Sequence, residues 1–321
     1  MFIPSRLPLI ADLDASSAGW GFFLCLRKEL RVGRSGTYLS IVLQDASGEI
    51  RAKMFDEVDL VKDEFEAGEF VKAQGRGNTY HDQVELVLEK IRRIVPERDG
   101  ADGFREEDCI RTAPRPADEM WAELLARVAE IGDPQIRRLI ESVLARHGDR
   151  LRVWPAAQKV HHAYRSGLLE HILKILDVAM FLADTYGARR DLVIAGAVLH
   201  DIGKLQELTY AVVTEYSIEG NLVGHIAIGL GMLREVAREL PDFPVDVLVE
   251  LEHLILSHHG AKDRGSPVEP MTVEAFILST ADNLDATIHQ VRKHIAEDES
   301  DGAFTSWHRR FERVFLKPPQ S

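Results

Sequence analysis

The 321-residue sequence predicts a multi-domain protein in which a small N-terminal β-barrel precedes an all-α helical bundle. Apolar residues alternate with a period of two in the N-terminal third, which is typical of half-buried strands. From Asp118 onward the apolar period is about 3.6, which predicts amphipathic helices. Residues 96–117 are rich in proline, glycine and charge and are predicted to form a linker. The predicted domains are therefore 1–95 and 118–316, with a loose tail at 317–321.

The composition limits the class of protein. Hydrophobic residues make up 45% of the chain and charged residues 28%, as in water-soluble globular proteins. No apolar run reaches the ~18 residues that span a bilayer, and no basic segment leads into an apolar stretch at the N-terminus. Cys25 and Cys109 form no disulfide framework, so a cytoplasmic location without membrane contact is expected. A net charge of −13 argues against indiscriminate DNA coating but allows a local basic groove.

The N-terminal segment is predicted to contain five short strands and one helix. The strands are 21–27, 38–43, 50–55, 70–75 and 84–88. An acidic, helix-like stretch at 57–67 follows the third strand, and a basic, glycine-bearing loop at 31–36 joins the first two. This order of elements is that of an OB-fold β-barrel, which binds single-stranded nucleic acid on its second and third strands and in the flanking loops.

Aromatic and basic residues of this segment are candidates for nucleic-acid binding, because aromatic rings stack on bases and cationic groups meet phosphates. The candidates are Arg31, Arg34, Tyr38, Lys53, Phe55, Arg76 and Tyr80. A structural role is the alternative for each, since strand aromatics usually pack in a core and the segment is not basic overall. The pattern therefore predicts a binding domain without singling out one contact residue.

The C-terminal part is predicted to be helical throughout. Apolar positions at 121–128 and 136–144 predict two helices, and Gly167 opens a third that ends at 186–188. The remaining predicted helices are one capped by Asp191 that runs into His200, one over 225–240, one from Pro244 to His258, and one capped by Thr272 that carries Asp282.

An imidazole, a carboxylate and an amine follow one another closely at the end of one predicted helix. Small apolar residues at 195–199 lead directly into His200 and Asp201, and Gly203 and Lys204 follow. Burying an unpaired imidazole and carboxylate costs several kcal/mol. A divalent metal ion offsets that cost, since His nitrogens and Asp oxygens together suit Zn, Mn, Fe or Ni. A hydrogen-bonded His–Asp pair that closes the helix explains this stretch equally well when it is taken alone.

Other histidines also lie beside the ends of apolar helices, namely His171, His225, His258 and His259. From His171 the chain runs about 15 residues along one helix, turns, and returns about 10 residues to His200, so the two side chains are expected within a turn or two of each other. A lone helical histidine is usually structural, an interpretation that we apply to His81, His147, His253, His289, His294 and His308. That interpretation does not account for five histidines at helix ends together.

This ordered set of residues resembles the ligands of the HD-domain metal-dependent phosphohydrolases. The matching residues are His171, His200, Asp201 and Asp282, with His225, His258 and His259 resembling the extra ligands of two-metal members. A closer resemblance is to the YhaM-type 3′–5′ exoribonucleases, carried by 162–164, 167–171, 200–204, 219–225, 257–260, 265–268 and 281–286. In that family an OB-fold precedes the HD body, so the resemblance covers nearly the whole chain.

The resemblance implies a role for each of these residues. One metal ion would be held by His171, His200, Asp201 and Asp282, and Asp201 would bridge to a second ion held by His225, His258 and His259. Mixed nitrogen and oxygen ligation favours Mn, with Fe or Co as further candidates. Two such ions would activate a bridging water as the hydroxide that attacks phosphorus.

Three further residues beside these motifs are candidates for contact with phosphate. Lys204, grouped with Asp201 as catalytic, would add positive charge beside the phosphoryl oxygens, or would serve as a cation at a helix C-terminus. His162 and Arg165 would contact a phosphate or play a structural role. Cyclic-dinucleotide phosphodiesterases of the superfamily carry Gly-Tyr-Pro after the paired histidines, whereas Gly-Ser-Pro at 265–267 here argues against that substrate.

The resulting hypothesis is a metal-dependent 3′–5′ exonuclease that hydrolyses the phosphodiester bonds of single-stranded RNA or DNA. The alternative is an HD-domain phosphohydrolase that acts on small nucleotides and uses the OB-fold for regulation or assembly. A nucleic-acid-binding protein with an inactive metal body is a third hypothesis, which the complete ligand set disfavours. The sequence does not distinguish RNA from DNA or define the natural substrate, and it leaves a homo-oligomer open.

Overall fold

The computed structural model describes residues 6–33, 36–80, 83–157, 162–210, 214–298 and 300–318. The chain forms two compact units. Among the described residues, the first comprises those of 6–112 together with Tyr210, and the second comprises those of 113–209 and 214–318. Among the described residues, no helix is both long enough and apolar enough to cross a membrane.

The first unit is a closed five-stranded barrel, which confirms the predicted OB-fold class. Its strands are β1 (Ala18–Gly33), β2 (Gly36–Gln44), β3 (Glu49–Met54), β4 (Phe70–Tyr80) and β5 (Gln83–Arg93). Around the barrel the order is β1-β2-β3-β5-β4, with β3 and β5 parallel and the other neighbours antiparallel. Because strand side chains alternate between two faces, residues such as Phe23, Leu39, Met54 and Leu86 share the interior.

Four of the five strands, all except β3, extend further than the sequence pattern predicts. β1 and β2 continue through most of the stretch predicted as a loop at 31–36, and they pair up to Gly33 and Gly36. The side chains on this outer part of β1 are exposed, so no core-facing alternation marks it although its backbone pairing continues. The helix after β3 is only α1 (Val58–Val61), shorter than the predicted 57–67.

Residues 96–112 pack on the barrel unit, although their composition predicts a linker. They contain the short helix α2 (Pro96–Asp99). Phe104 and Cys109 join Phe22 in a second apolar cluster, separate from the barrel interior. A few apolar side chains are therefore sufficient to attach an irregular, charged segment to the outside of a strand.

The second unit is helical, as predicted, with one small addition. Its helices are α3 (Ala117–Ala129), α4 (Pro134–Leu151), α5 (Gly167–Tyr186), α6 (Arg190–Leu199), α7 (Lys204–Glu207), α8 (Ile218–Val223), α9 (His225–Arg238), α10 (Val245–Ser257) and α11 (Val273–Glu297). A two-stranded sheet, β6 (Leu208–Tyr210) and β7 (Thr214–Tyr216), interrupts the predicted all-α pattern. Strands of three residues are too short to produce a readable alternation.

Local signals mark most of the helix ends. Gly187 ends α5 with a left-handed φ of 67°, and the hydroxyl of Thr272 caps α11. The prediction that Asp191 caps α6 is wrong. Asp191 lies in the first turn of that helix, and its carboxylate accepts hydrogen bonds from the backbone N–H groups of Gly132 (3.0 Å) and Asp133 (2.8 Å).

Candidate metal centre

The hairpin of α5 and α6 brings His171 and His200 together. The Nε2 atoms of the two imidazoles are 3.2 Å apart, and both residues are completely buried. Asp282 of α11 approaches from a third direction, with its Oδ1 3.3 Å from Nε2 of His171. These three residues offer ligand atoms that all lie within 4.8 Å of one another, and we call them the inner cluster.

His225, His258 and His259 form a second group with the same spacing of ligand atoms, which we call the outer cluster. His225 is the first residue of α9, and the other two follow the last residue of α10. A Cβ at Gly203 would lie 1.9 Å from the carbonyl oxygen of His225. Glycine therefore allows α9 to begin directly against the turn that carries Asp201.

Asp201 lies between the two clusters, with one carboxylate oxygen toward each. Its Oδ2 is 3.4 Å from Nε2 of His171 and 3.3 Å from Nε2 of His200. Its Oδ1 is 3.5 Å from Nε2 of His225 and 3.7 Å from Nε2 of His258. Asp201 is only 2% exposed, so its charge is balanced by its neighbours rather than by solvent.

Each of the five histidines has its Nδ1 engaged away from this centre. The partners are Asp285 Oδ2 for His171 (3.0 Å), Ala197 O for His200 (2.8 Å), Glu207 Oε1 for His225 (3.0 Å), Ile255 O for His258 (2.7 Å) and Arg264 O for His259 (3.1 Å). Carbonyl and carboxylate oxygens accept hydrogen bonds, so each imidazole donates from Nδ1 and a neutral ring then carries a lone pair on Nε2. This arrangement of outer hydrogen bonds is typical of metal-binding histidines.

Among the described residues, three polar atoms of this centre are buried without a hydrogen-bond partner: Oδ1 of Asp201, Nε2 of His225 and Nε2 of His258. An unsatisfied buried polar atom costs about 1–3 kcal/mol. The three atoms face one another as acceptors, so they cannot satisfy one another by hydrogen bonding. Neutral imidazole nitrogens around a carboxylate oxygen are the donor set that fits a divalent cation.

Electrostatics differ between the two clusters. Burial opposes protonation of His171, but hydrogen bonds to the surrounding carboxylates outweigh it and hold the His171 pKa well above its usual value. Burial lowers the pKa of His259 and holds that of His258 well below its usual value. A proton therefore competes for the inner cluster, whereas these two outer histidines favour the neutral form that binds metal.

Lys204 is the first residue of α7 and reaches back to Asp201. Its Nζ lies 2.6 Å from Oδ2 of Asp201, and the residue is buried. Burial favours a neutral amine, but the adjacent carboxylate outweighs it and raises the Lys204 pKa. The interpretation of Lys204 as a cation at a helix C-terminus is wrong, because α6 ends at Leu199 and Lys204 begins the next helix.

Three carboxylates that lie around the histidines of this centre, those of Asp285, Glu207 and Glu170, are not among the predicted site residues. Asp285 follows Asp282 by three residues on α11, a spacing that places both on one face of the helix and could have identified it. Glu207 is the last residue of α7 and Glu170 lies in the first turn of α5. Nothing in the sequence distinguishes those two glutamates from charges on a solvated helix face.

His162 and Arg165, the predicted phosphate contacts of the helical unit, lie in different surroundings. His162 is 1% exposed, with Nδ1 2.7 Å from Oε2 of Glu170 and Nε2 3.2 Å from Oδ2 of Asp285. Arg165 is exposed, and its backbone carbonyl accepts a hydrogen bond from Ala113. Of the two, only Arg165 is accessible to a ligand from solvent.

On the barrel unit, three of the predicted nucleic-acid contacts are aromatic residues, namely Tyr38, Phe55 and Tyr80. The rings of Tyr38 and Phe55 lie 5.5 Å apart. Lys53 forms an ion pair with Glu85 (2.7 Å) and lies over the ring of Tyr80, 4.3 Å from its centroid. Phe55 is 51% exposed and Tyr80 55%, so part of each ring remains accessible to a base.

The remaining candidates of the barrel are arginines. Arg31 is exposed and pairs with Glu29 at 2.6 Å, and Arg76 is exposed on β4. Arg34 lies outside the described residues.

Two family models match the sequence. The HD domain model matches residues 168–287, and a model described as an OB-fold nucleic acid binding domain matches residues 26–94. The first match indicates dependence on a divalent metal ion, and the second agrees with a single-stranded nucleic-acid substrate.

The chain is also similar to curated proteins named 3′–5′ exoribonuclease YhaM. It is 37% identical to that of Bacillus subtilis (strain 168) and 36% identical to that of Bacillus pumilus (strain SAFR-032). Each alignment spans 279 residues, which is 87% of this chain and 85% of the relative. The similarity therefore includes both units.

Proposed function

The chain belongs to the YhaM family of 3′–5′ exoribonucleases, and we propose that it removes nucleotides from the 3′ end of single-stranded RNA at a centre of two divalent metal ions. The observation that best supports the proposal is the carboxylate of Asp201. It is buried between two groups of histidines, and one of its oxygens has no hydrogen-bond partner among the described residues.

Both clusters fit a divalent cation. One ion would be held by His171, His200, Asp282 and Asp201, and the other by His225, His258, His259 and Asp201. Mn²⁺ is favoured, with Fe and Co as further candidates, because nitrogen and oxygen donors are mixed. When bound, such a pair of ions supplies a nucleophilic hydroxide at neutral pH and charge stabilisation at the phosphoryl group.

The residues of the chain prepare this centre before the substrate arrives. The hydrogen bonds at Nδ1 hold every imidazole in one orientation, so little reorganisation accompanies the reaction. Lys204 holds Oδ2 of Asp201, and its buried positive charge would stabilise a phosphoryl group bound at this centre. Asp201 and Lys204 are therefore the pair that we assign to catalysis.

The barrel unit would hold the RNA strand. Phe55 and Tyr80 offer half-exposed rings to the bases, and Lys53, Arg31 and Arg76 offer charge to the phosphates. Stacking on aromatic rings tolerates any base, which suits an enzyme that moves along its substrate.

The test uses the full-length protein, freed of metal by chelation and resupplied with Mn²⁺. The substrates are 5′-labelled single-stranded RNA, the same RNA circularised, the matching DNA and free nucleotides. We expect a ladder that shortens from the 3′ end, mononucleotide products and an intact circle. The H200A/D201A double variant should bind RNA without hydrolysing it.

Three outcomes would contradict the proposal. Shortening from the 5′ end or cleavage of the circle would exclude a 3′ exonuclease. Hydrolysis of free nucleotides without hydrolysis of oligomers would instead indicate a nucleotide phosphohydrolase. The ratio of the RNA and DNA rates measures the preference between the two substrates.

A further inference from the structure

A second layer of buried polar residues lies behind the inner cluster. Nε2 of His162 is 3.2 Å from Oδ2 of Asp285, and the same oxygen is 3.0 Å from Nδ1 of His171. On the other side of the ring, Nδ1 of His162 lies 2.7 Å from Oε2 of Glu170 and 2.9 Å from the hydroxyl of Tyr164. These contacts form a continuous path of polar groups from Glu170 through His162 and Asp285 to His171.

The backbone holds His162 firmly in this position. Its φ of 52° lies in the left-handed region, which costs roughly 1–3 kcal/mol for a residue with a side chain. Its carbonyl accepts hydrogen bonds from the N–H groups of Ala156 (3.0 Å) and Tyr164 (2.9 Å). A Cβ at Gly167 would lie 2.0 Å from that carbonyl oxygen, so a glycine is required there. Strain that the surroundings maintain at a buried polar residue is characteristic of functional sites.

These surroundings do not favour the phosphate contact considered for His162. The ring is 1% exposed, and each of its nitrogens faces a carboxylate oxygen. An incoming phosphate would have to displace Glu170 or Asp285, both of which carry the same sign of charge as the phosphate. The ring is directed to the carboxylate behind the centre rather than to the substrate.

We propose that His162 is a positioning residue of the metal centre: Glu170 and Tyr164 hold its ring, His162 holds Asp285, and Asp285 orients the imidazole of His171. The inference rests on the proposed function and extends it to a residue that holds no metal itself. Asp285 is 17% exposed at its side chain, so without His162 its carboxylate can turn toward water. His171 would then lose the acceptor that fixes its tautomer and ring angle.

The outer cluster has a separate carboxylate support, which provides a matched control. Oε1 of Glu207 accepts hydrogen bonds from the backbone N–H of His225 (2.9 Å) and from its Nδ1 (3.0 Å). Asp285 thus supports an inner-cluster histidine and Glu207 an outer-cluster one. Variants of the two supports should affect different metal ions.

The test is isothermal titration of the metal-free, full-length protein with Mn²⁺. H162A should weaken one binding event, by at most the roughly 10–100-fold that follows loss of a direct outer partner of a metal ligand, and should leave the other event unchanged. H162Q, whose amide nitrogen can donate to Asp285, should recover most of the affinity. E207Q should weaken the other event. H147A, which replaces a partly buried histidine of α4, should change neither binding event.

A double-mutant cycle separates positioning from a general effect on packing. Because His162 acts through Asp285, H162A should add little to the loss already caused by D285N. Additive losses, equal weakening of both events or unchanged Mn²⁺ binding in H162A would each overturn the proposal. If H162A does not fold by circular dichroism, E170Q and Y164F remove only the contacts that hold the ring and should weaken the same event by a smaller factor.

The two proposals fail in different ways. Normal Mn²⁺ binding without RNA hydrolysis contradicts the proposed function and leaves the titration valid. Normal RNA hydrolysis with unaltered Mn²⁺ binding in the His162 and Glu170 variants contradicts the positioning role alone.

Discussion

Asp99 in the barrel unit and Asp201 in the helical unit are both buried carboxylates whose pKa lies below its usual value. The surroundings of Asp99 satisfy both of its oxygens. The guanidinium of Arg92 donates to Oδ1 (2.6 Å) and Oδ2 (2.7 Å), and the backbone N–H of Val95 donates to Oδ2 at 2.8 Å. The ammonium of Lys72 lies 3.6 Å from Oδ1.

Asp201 differs in the oxygen that remains unpaired. Lys204 holds its Oδ2, whereas its Oδ1 faces the Nε2 atoms of His225 and His258, none of which has a hydrogen-bond partner in the described part of the chain. A lowered pKa is common to both aspartates, so it does not mark the functional one by itself. Asp99 is satisfied by the protein alone, whereas Oδ1 of Asp201 is the oxygen that the proposed metal ions would satisfy.

The largest expected difference between the two aspartates is in activity. D201N should lower kcat on single-stranded RNA by about 10³-fold, because the electrostatic stabilisation at such a centre is worth several kcal/mol and each 1.4 kcal/mol is tenfold. D99N should leave kcat per folded molecule unchanged. Steady-state assays with Mn²⁺ and 5′-labelled RNA measure both. A D201N enzyme within tenfold of the wild type would contradict the assigned role.

Binding of Mn²⁺ should stabilise the helical unit and leave the barrel unit unchanged. Mn²⁺ at 100 times its Kd should raise the free energy of unfolding of the metal-binding unit by about 2.7 kcal/mol. Hydrogen exchange of the full-length protein should therefore slow in α5, α6 and α9 and remain unchanged in β1–β5. Equal slowing in both regions, or none in α5 and α6, would contradict the account.

D99N should act on stability instead. Replacing the carboxylate weakens charge-assisted hydrogen bonds to Arg92 and should lower the free energy of unfolding by about 2 kcal/mol. Urea denaturation followed by fluorescence measures this change. Mn²⁺ affinity should equal that of the wild type, and a weaker affinity in D99N would show that the two aspartates are not independent.

The stability difference between the wild type and D99N should depend on pH with a definite sign. Arg92, foremost among its neighbours, holds the folded-state pKa of Asp99 below the unfolded value of about 3.9. The stability that this carboxylate contributes is therefore complete above about pH 4 and is lost as the pH falls through the folded-state pKa. The difference should be constant from pH 7 to pH 5 and shrink below about pH 4. A difference that persists unchanged to pH 3 or grows on acidification would refute this assignment.

The inner cluster illustrates what the sequence could predict. The distance from His171 to Gly187 and back to His200 follows from helix length alone, because 1.5 Å per residue is the same in every helix. The approach of His225 to Asp201 could not be predicted in this way. It depends on how α9 packs against the turn at Gly203, which is a tertiary contact.

The contacts of the second layer of buried polar residues could not be predicted from the sequence. Glu170 lies on a helix that also carries the exposed charges Lys174, Asp177 and Asp184, and Glu207 ends a helix of only four residues. Only the structure shows that these two glutamates contact histidines. Asp191 has the residue type and place of a helix cap, yet its carboxylate binds a neighbouring loop. The outer part of β1 was missed because exposed strands pair through the backbone, which leaves little trace in the sequence.

Anomalous scattering from Mn²⁺ in crystals of the full-length protein would locate the bound ions relative to Asp201. We expect two peaks about 3.5–4 Å apart, one in each cluster, with one oxygen of Asp201 bound to each ion. A single peak that does not touch Asp201, or Asp201 bound only to protein atoms in the presence of Mn²⁺, would contradict this expectation.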